Sequence, residues 1–478
     1  MLRPVKARAR RAPRVIAVFL ACTAACVHPG ATARVPARRA PEDAGLVAAR
    51  DVPSAQSQAY ALVTGLTDDA GARLAGSPGD ARGVAWALRT LPTLGLTNVH
   101  AEPVTVHRWE RRAESASIVS PAMLPLAVCA LGHSIGTPAD GLEAEVVRVA
   151  SLEALDALPD GALAGKLAFL DQETPRRPDG SGYGETVGIR VRGASRASSK
   201  GAVGIVIRSV STAHDRFPHT GVVHYADGVP PIPAAALSTS DADLLARLLS
   251  RGPVRLRLVL DVGEVGTAET ANVIGDVRGA SRPDEVVLLG AHLDSWDLAR
   301  GAIDDGAGVG IVLEAARRIA AGERPPRTLR VVLFANEESG GDGERAYAAA
   351  HDAELPHHVL AAEADIGDGR ALELRTATTP ETRDAFTAIA RALAPLGVHW
   401  TAGTPHGGSD LGSMHEHGVP VLDIRQDATR YFDNHHSAND TMSIVVREDL
   451  DHAASAYAAL AWTALRAPGD TPFGRAAE

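Results

Sequence analysis

Cysteine is almost missing from this chain: 478 residues contain three, Cys22, Cys26 and Cys129. Two of them fall in the N-terminal export segment described below, so the body holds Cys129 alone and has no intramolecular disulfide. A lone cysteine of this kind packs in a core. Stability must then come from burial, helped by any metal the chain binds. Long apolar runs are missing as well. The longest, Val15 to Cys26, is too short to span a bilayer permanently, which excludes a transmembrane span in the mature chain. Basic charge is scarce beyond residue 33: from there on, 42 basic residues face 58 acidic ones, a balance of −16. Such an acidic body excludes nucleic acid and anionic membrane as partners. No internal repeat of fixed period occurs, which excludes solenoids and propellers.

The first 33 residues carry Lys6 and five arginines with no acid, then the apolar run, then the small-x-small site Ala31-Thr-Ala33. This order is that of a signal peptide, so the protein is expected to be exported to a periplasmic or extracellular space. Cys22 and Cys26 follow small residues and leave open a lipid anchor. Residues 34–52, rich in Ala, Arg and Pro, read as a linker.

At 478 residues the chain exceeds one ordinary core, and its pattern divides accordingly. Residues 53–107 open with helical periodicity and close on an alternating strand. From 108 to 268 short β-like runs dominate, separated by Gly/Pro/Ser turns, which reads as an inserted β-rich domain. From 269 to 470 strands (285–289, 328–334, 358–362, 419–424) alternate with helices (306–321, 343–351, 379–396, 447–465); residues 471–478 form a tail. The fold class expected is α/β, a mostly parallel mixed sheet between helices. Sites in such folds lie beyond the carboxyl ends of the strands.

Candidate ligands gather there. His292 and Asp294 follow the first strand, with Asp304 and Asp305 next; Asn336-Glu337-Glu338 follows the second; Glu363-Ala-Asp365 the third; His435, His436 and Asp440 the last. A lone His or a Glu pair is usually an ordinary polar residue. Four strand ends carrying carboxylates and imidazoles toward one crevice call for a cation to neutralise them. The inventory suits two zinc ions sharing a bridging carboxylate and a water. His292 with Asp365 and His436 with Glu338 supply the terminal ligands, Asp304 bridges, Glu337 remains as general base, and Asp294 orients His292.

The motifs Arg73-Leu-Ala-Gly-Ser-Pro78, His292-x-Asp294…Asp304-Asp305-Gly-Ala-Gly308, Glu337-Glu338-x-Gly340, Glu363-x-Asp365 and His436-Ser-x-x-Asp440-Thr441 resemble those of the co-catalytic zinc exopeptidases, the group of leucyl aminopeptidases and glutamate carboxypeptidases. Within it, His292-Leu-Asp-Ser-Trp-Asp297, Leu131-Gly-His-Ser-Ile-Gly-Thr-Pro138 and Pro218-His-Thr-Gly221 are most similar to the plasma glutamate carboxypeptidase branch. The resemblance runs from about Ser54 to Leu465. It implies a zinc exopeptidase fold with an inserted protease-associated domain, the same five ligands, Glu337 as base, and a cis peptide between Asp304 and Asp305. His436 is preferred to His435 by its distance from Asp440-Thr441. Asn336 departs from the small residue usual before the Glu pair. The implied substrates are small peptides, above all dipeptides with a free amino end. Ser409 in the loop His406-Gly-Gly-Ser-Asp410 is a candidate substrate-binding residue, or part of an ordinary turn. The segment 218–221 and Tyr225 are candidates for closing over the site, for a homodimer contact, or for inter-domain packing. Competing functions on the same fold are a broader-specificity aminopeptidase, an inactive binding protein and a one-zinc glutaminyl cyclase.

Overall fold

Val286, Val287, Leu288 and Leu289 are all buried, as residues on both faces of a helix-covered parallel strand must be. They lie in the strand Arg282–His292, which pairs in parallel with Arg327–Phe334 on one side and His358–Glu363 on the other. The three strands therefore end on the same edge. The computed structural model describes residues 42–475. The expected signal peptide at 1–33, with Cys22 and Cys26, lies outside the described residues, as do residues 34–41 of the expected linker.

Two helices cover one face of this sheet. Gly306–Ala320 starts at Asp305, whose side chain accepts from the Gly308 amide. A Cβ at Gly308 would stand 1.9 Å from the Ala364 carbonyl oxygen, so only glycine lets the helix start sit against the loop after the third strand. Arg447–Leu465 packs beside it and buries Ala453, Ala454, Ala456, Ala458, Ala459 and Ala461. Small residues on all sides let it lie inside the core instead of across its surface. No helix among the described residues is long and apolar enough to cross a membrane.

Arg327–Phe334 also pairs, antiparallel, with the C-terminal part of the 23-residue strand Arg255–Val277. That strand forms a long ribbon with Thr97–Ser120, from Thr97 opposite Asp276 to Ser120 opposite Arg255. Its other end pairs with Leu142–Val149 and leads to the parallel strands Leu167–Leu170, Gly204–Arg208 and Ala234–Leu237. The domain boundaries expected at 108 and 268 fall inside this ribbon, not in linkers: the ladder continues past both positions, with a register shift between Arg108 and Trp109. The described residues from Asp43 onward form one compact unit.

Four further expectations need correction. The last part of the 34–52 linker is the helix Ala44–Arg50, capped by Asp43, with Leu46 and Ala49 in the main core; its Ala-rich composition is helix-forming as well as linker-like. The middle segment is not β-rich throughout, since Ser181–Thr186 and Gly188–Ser199 are helices. The strand expected at 419–424 is Leu422–Gln426, and it joins Ala371–Thr376 and His399–Ala402 in a separate three-stranded sheet. One bridge, Ala361 to Val421, ties that sheet to the main one. The tail expected at 471–478 is packed at Phe473, whose ring lies 5.3 Å from that of Phe386. Cys129 is free and buried in the core of the middle segment.

Candidate metal centre

The parallel strands deliver their groups as their register requires. His292 is the last residue of its strand and Asp294 stands two further on; Glu363 ends its strand, and Asp365 again follows by two. Glu337 and Glu338 leave the Arg327–Phe334 strand through Asn336, which takes a left-handed backbone with φ 59°, a conformation asparagine tolerates better than most residues. Its side-chain amide donates to Asp342 and its side-chain oxygen accepts from Ser339, so the unusual residue fastens the Glu pair's turn. His435 and His436 arrive not from a strand but from the short helix Tyr431–Asn434.

Asp304 stands between two imidazoles. Its Oδ1 lies 3.2 Å from His292 Nε2 and its Oδ2 3.2 Å from His436 Nε2. Asp365 Oδ1 is 3.5 Å from the same nitrogen of His292, and Glu338 Oε2 is 2.8 Å from that of His436. Each imidazole thus shares Asp304 and has one further carboxylate of its own. All five side chains are largely buried, yet Asp304 Oδ2, Glu338 Oε1 and Asp365 Oδ1 have no hydrogen-bond donor among the described residues. Buried carboxylate oxygens without donors are costly; divalent cations would satisfy them, and the donor set of imidazole and carboxylate is one zinc accepts. The residues fit the group.

Electrostatics agree. Desolvation pushes Glu337 up to about 8 and Glu338 up to about 7, each helped by neighbouring carboxylates. Burial works against a charged His436, but Glu338 and Asp304 outweigh it and hold the ring up at about 9. Protons here stand in for missing positive charge, and a bound cation would reverse these shifts.

The surrounding groups hold this arrangement. Asp294 Oδ1 lies 3.5 Å from His292 Nδ1 and accepts from the Glu337 amide at 3.1 Å, so one carboxylate touches both. Asp305 spends its oxygens on the His292 and Gly308 amides, which separates its job from that of Asp304; the peptide between the two is cis. Asp440 accepts from the amides of Ala302, Ile303 and Asp304 at 2.7, 2.7 and 3.2 Å and fixes the loop carrying Asp304. Glu337 is half-buried, and its carboxylate makes no hydrogen bond among the described residues. Ser409 lines a cavity of about 360 Å³ that also touches Asp365.

His435 stacks on His436 at 3.5 Å, among Tyr183, Tyr431 and Phe432, with its Nε2 3.6 Å from Asp304 Oδ2. His435, like Asp305, belongs to a three-residue group close enough to hold a metal. The nearer approach of His436 to both Asp304 and Glu338 favours it. Two groups stand behind His436, Thr220 from the 218–221 segment and Arg190, which sequence reasoning did not single out. The Thr220 carbonyl lies 3.3 Å from its Nδ1, and Arg190 Nη1 3.2 Å from the same atom. Thr220 falls in the 218–221 segment, which therefore packs on the site, whereas the Tyr225 hydroxyl donates to Ile232 within the middle segment. Arg190 shares the helix Gly188–Ser199 with Arg192 and Arg196 and belongs to no motif that could have marked it.

Known proteins share this architecture and much of the sequence. Residues 272–461 match the model of peptidase family M28. Mouse carboxypeptidase Q is 36% identical over 409 residues, covering 85% of this chain and 85% of its own. The chain belongs to peptidase family M28. A crystal structure of an M28 peptidase precursor from Shewanella amazonensis, 44% identical, superposes with a TM-score of 0.85 over 88% of this chain and 95% of that one. A zinc aminopeptidase from Bacillus subtilis shares the fold at 20% identity, with a TM-score of 0.63 over 87% of this chain and 97% of that one. The carboxypeptidase Q match extends well beyond 272–461, so the M28 likeness includes much of the middle segment. The chain is a metallopeptidase with the mixed α/β fold of its family.

Proposed function

We propose that the protein is a di-zinc exopeptidase that hydrolyses small peptides, chiefly dipeptides with a free amino end. The observation that carries this reading is Asp304, with one oxygen facing His292 Nε2 and the other facing His436 Nε2. His292 and Asp365 would hold one ion, His436 and Glu338 the other, and Asp304 would join them. Bound zinc would lower the pKa of a coordinated water and polarise the scissile carbonyl. Asp294 orients the His292 ring from behind and, through the Glu337 amide, holds the base beside it. Glu337 takes the proton of the attacking water and returns it to the leaving amine. Its desolvated carboxylate and lack of protein partners leave it free to do so. Asp440 keeps Asp304 in place, and with metal on Nε2 the His436 Nδ1–H would donate to the Thr220 carbonyl instead of accepting from Arg190.

Within this reading, 108–268 is an inserted protease-associated module, supported by its own apolar core around Leu170, Ile205 and Ala236. Ser409 contributes to the substrate cavity. The export signal remains part of the proposal.

A panel of dipeptides, tripeptides and N-acetylated dipeptides, each assayed with and without chelator, tests the proposal. Dipeptides with a free amino group are expected to be cleaved fastest, and chelator to stop the reaction. Equal rates on tripeptides would point to a broader aminopeptidase; chelator-resistant or absent hydrolysis would defeat the reading.

A further inference from the structure

The cavity of about 360 Å³ beside the metal centre has more acceptors than donors. Its volume is within the range of small-ligand pockets, and four carboxylates line it: Asp179, Glu363, Asp365 and Asp423. Arg425 is the one permanent cation among the lining residues, and Asp179 Oδ2 stands 3.9 Å from it, so those two charges answer each other. Asp365 faces His292 in the metal centre. Asp423 has neither partner. Its oxygens accept from the backbone amides of His406 and Gly407 at 2.7–3.1 Å. Neutral amides place the carboxylate and leave its charge unopposed.

A second observation points the same way. Two buried oxygens on side chains of this cavity wall have no donor. Glu363 is 7% exposed; its Oε2 accepts from the Asp410 amide at 2.9 Å, and its Oε1 accepts from nothing among the described residues. Gln426 is 2% exposed, and its Nε2 donates to the carbonyls of Gly367 and Gly369. Those two bonds fix the amide, and its Oε1 is again left without a donor. Buried acceptors without donors are costly. The wall therefore lacks a group that brings several N–H donors and a positive charge. Ile366 and Ile424 add apolar surface to the same cavity, on which an aliphatic stem can lie while its charged end reaches the acids. Lysine and arginine side chains have that form.

We propose that this cavity receives the basic side chain of a short peptide, lysine or arginine, with Asp423 as the charge that selects it and Glu363 and Gln426 as acceptors beside it. This inference rests on the peptidase reading above. It separates two tasks: the metal centre cleaves the peptide bond, and the cavity chooses the side chain.

The test uses full-length, zinc-loaded protein and dipeptides in pairs of matched shape: Lys-Ala against norleucyl-Ala, Arg-Ala against citrullyl-Ala, and the same residues placed second, after Ala. The members of a pair share the stem and the free amino end and differ in one charge, so their ratio of kcat/KM reads the side chain alone. Wild type is expected to favour the basic member by roughly 10–100-fold at one of the two positions, as a charge-assisted contact would give; that position is the one the cavity holds. In Asp423→Asn, which keeps an acceptor for both amides, the ratio falls toward one. Glu363→Gln lowers it in the same direction and is the second variant should the first fail to fold, which thermal melting and zinc content reveal. Ratios of one at both positions in wild type would overturn the proposal, as would a wild-type preference left unchanged in both variants. Failure of wild type to cleave any of these peptides would defeat the peptidase reading, and this inference with it.

Discussion

Glu337 and Glu338 are neighbours in sequence with different surroundings. Glu338 faces His436 Nε2 at 2.8 Å, whereas Glu337 is touched only through its backbone amide, by Asp294. Glu337→Gln keeps the shape and removes the proton acceptor, so kcat is expected to fall about 10²–10⁴-fold with zinc content unchanged by mass spectrometry. Retained turnover would remove Glu337 from the role of base. Most of these residues were legible because their types are chemically unusual at strand ends. Arg190 was not, nor was the part Thr220 plays within the 218–221 segment. Thr220 acts through a backbone carbonyl, which no side-chain pattern reveals, and Arg190 acquires meaning only from the fold that brings it to His436 Nδ1.

Elements divide along the same line. The parallel strands announced themselves as aliphatic runs, and the helix Gly306–Ala320 matches the one expected over 306–321. The helix Gly188–Ser199 did not, because its buried face at Ile189, Gly193, Ala194 and Ala197 is built largely of small residues that hydropathy underrates. The strands Ala371–Thr376 and His399–Ala402 were also missed, since they build a small sheet with mixed burial along each strand. On Gly306–Ala320 the fully buried Glu314 bonds Arg317 at 2.7 and 2.8 Å and Arg318 at 2.8 Å. Burial opposes its charge, but the two guanidiniums prevail and hold its pKa below 4.5. A depressed carboxyl pKa contributes stability that is complete above the unfolded value and is lost as pH falls through the folded one. Glu314→Gln should therefore cost about 3–5 kcal/mol near neutral pH. Thermal melts of wild type and variant should converge as pH drops below about 4.5. A gap that is constant with pH would mean the pair contributes packing alone.

At the scale of the whole molecule, the acidic balance and the lack of disulfides pointed to a chain held together by burial, and the described residues fit. What the sequence hid is how the two expected domains join. Turns and composition mark breaks near 108 and 268, yet the ribbon of Thr97–Ser120 and Arg255–Val277 runs through both, and Thr220 and Arg190 reach back from the middle segment to His436. Strand pairing between residues 135 to 179 positions apart leaves no local signal in either partner. The middle segment is thereby part of the site's support, and the Asp304 arrangement is the focus of the whole fold. Stripping the protein with chelator and returning zinc in measured equivalents, while following dipeptide hydrolysis, tests that focus most directly. Activity rising to saturation at two equivalents per chain is the predicted result; saturation at one equivalent, or no recovery with zinc, would contradict it.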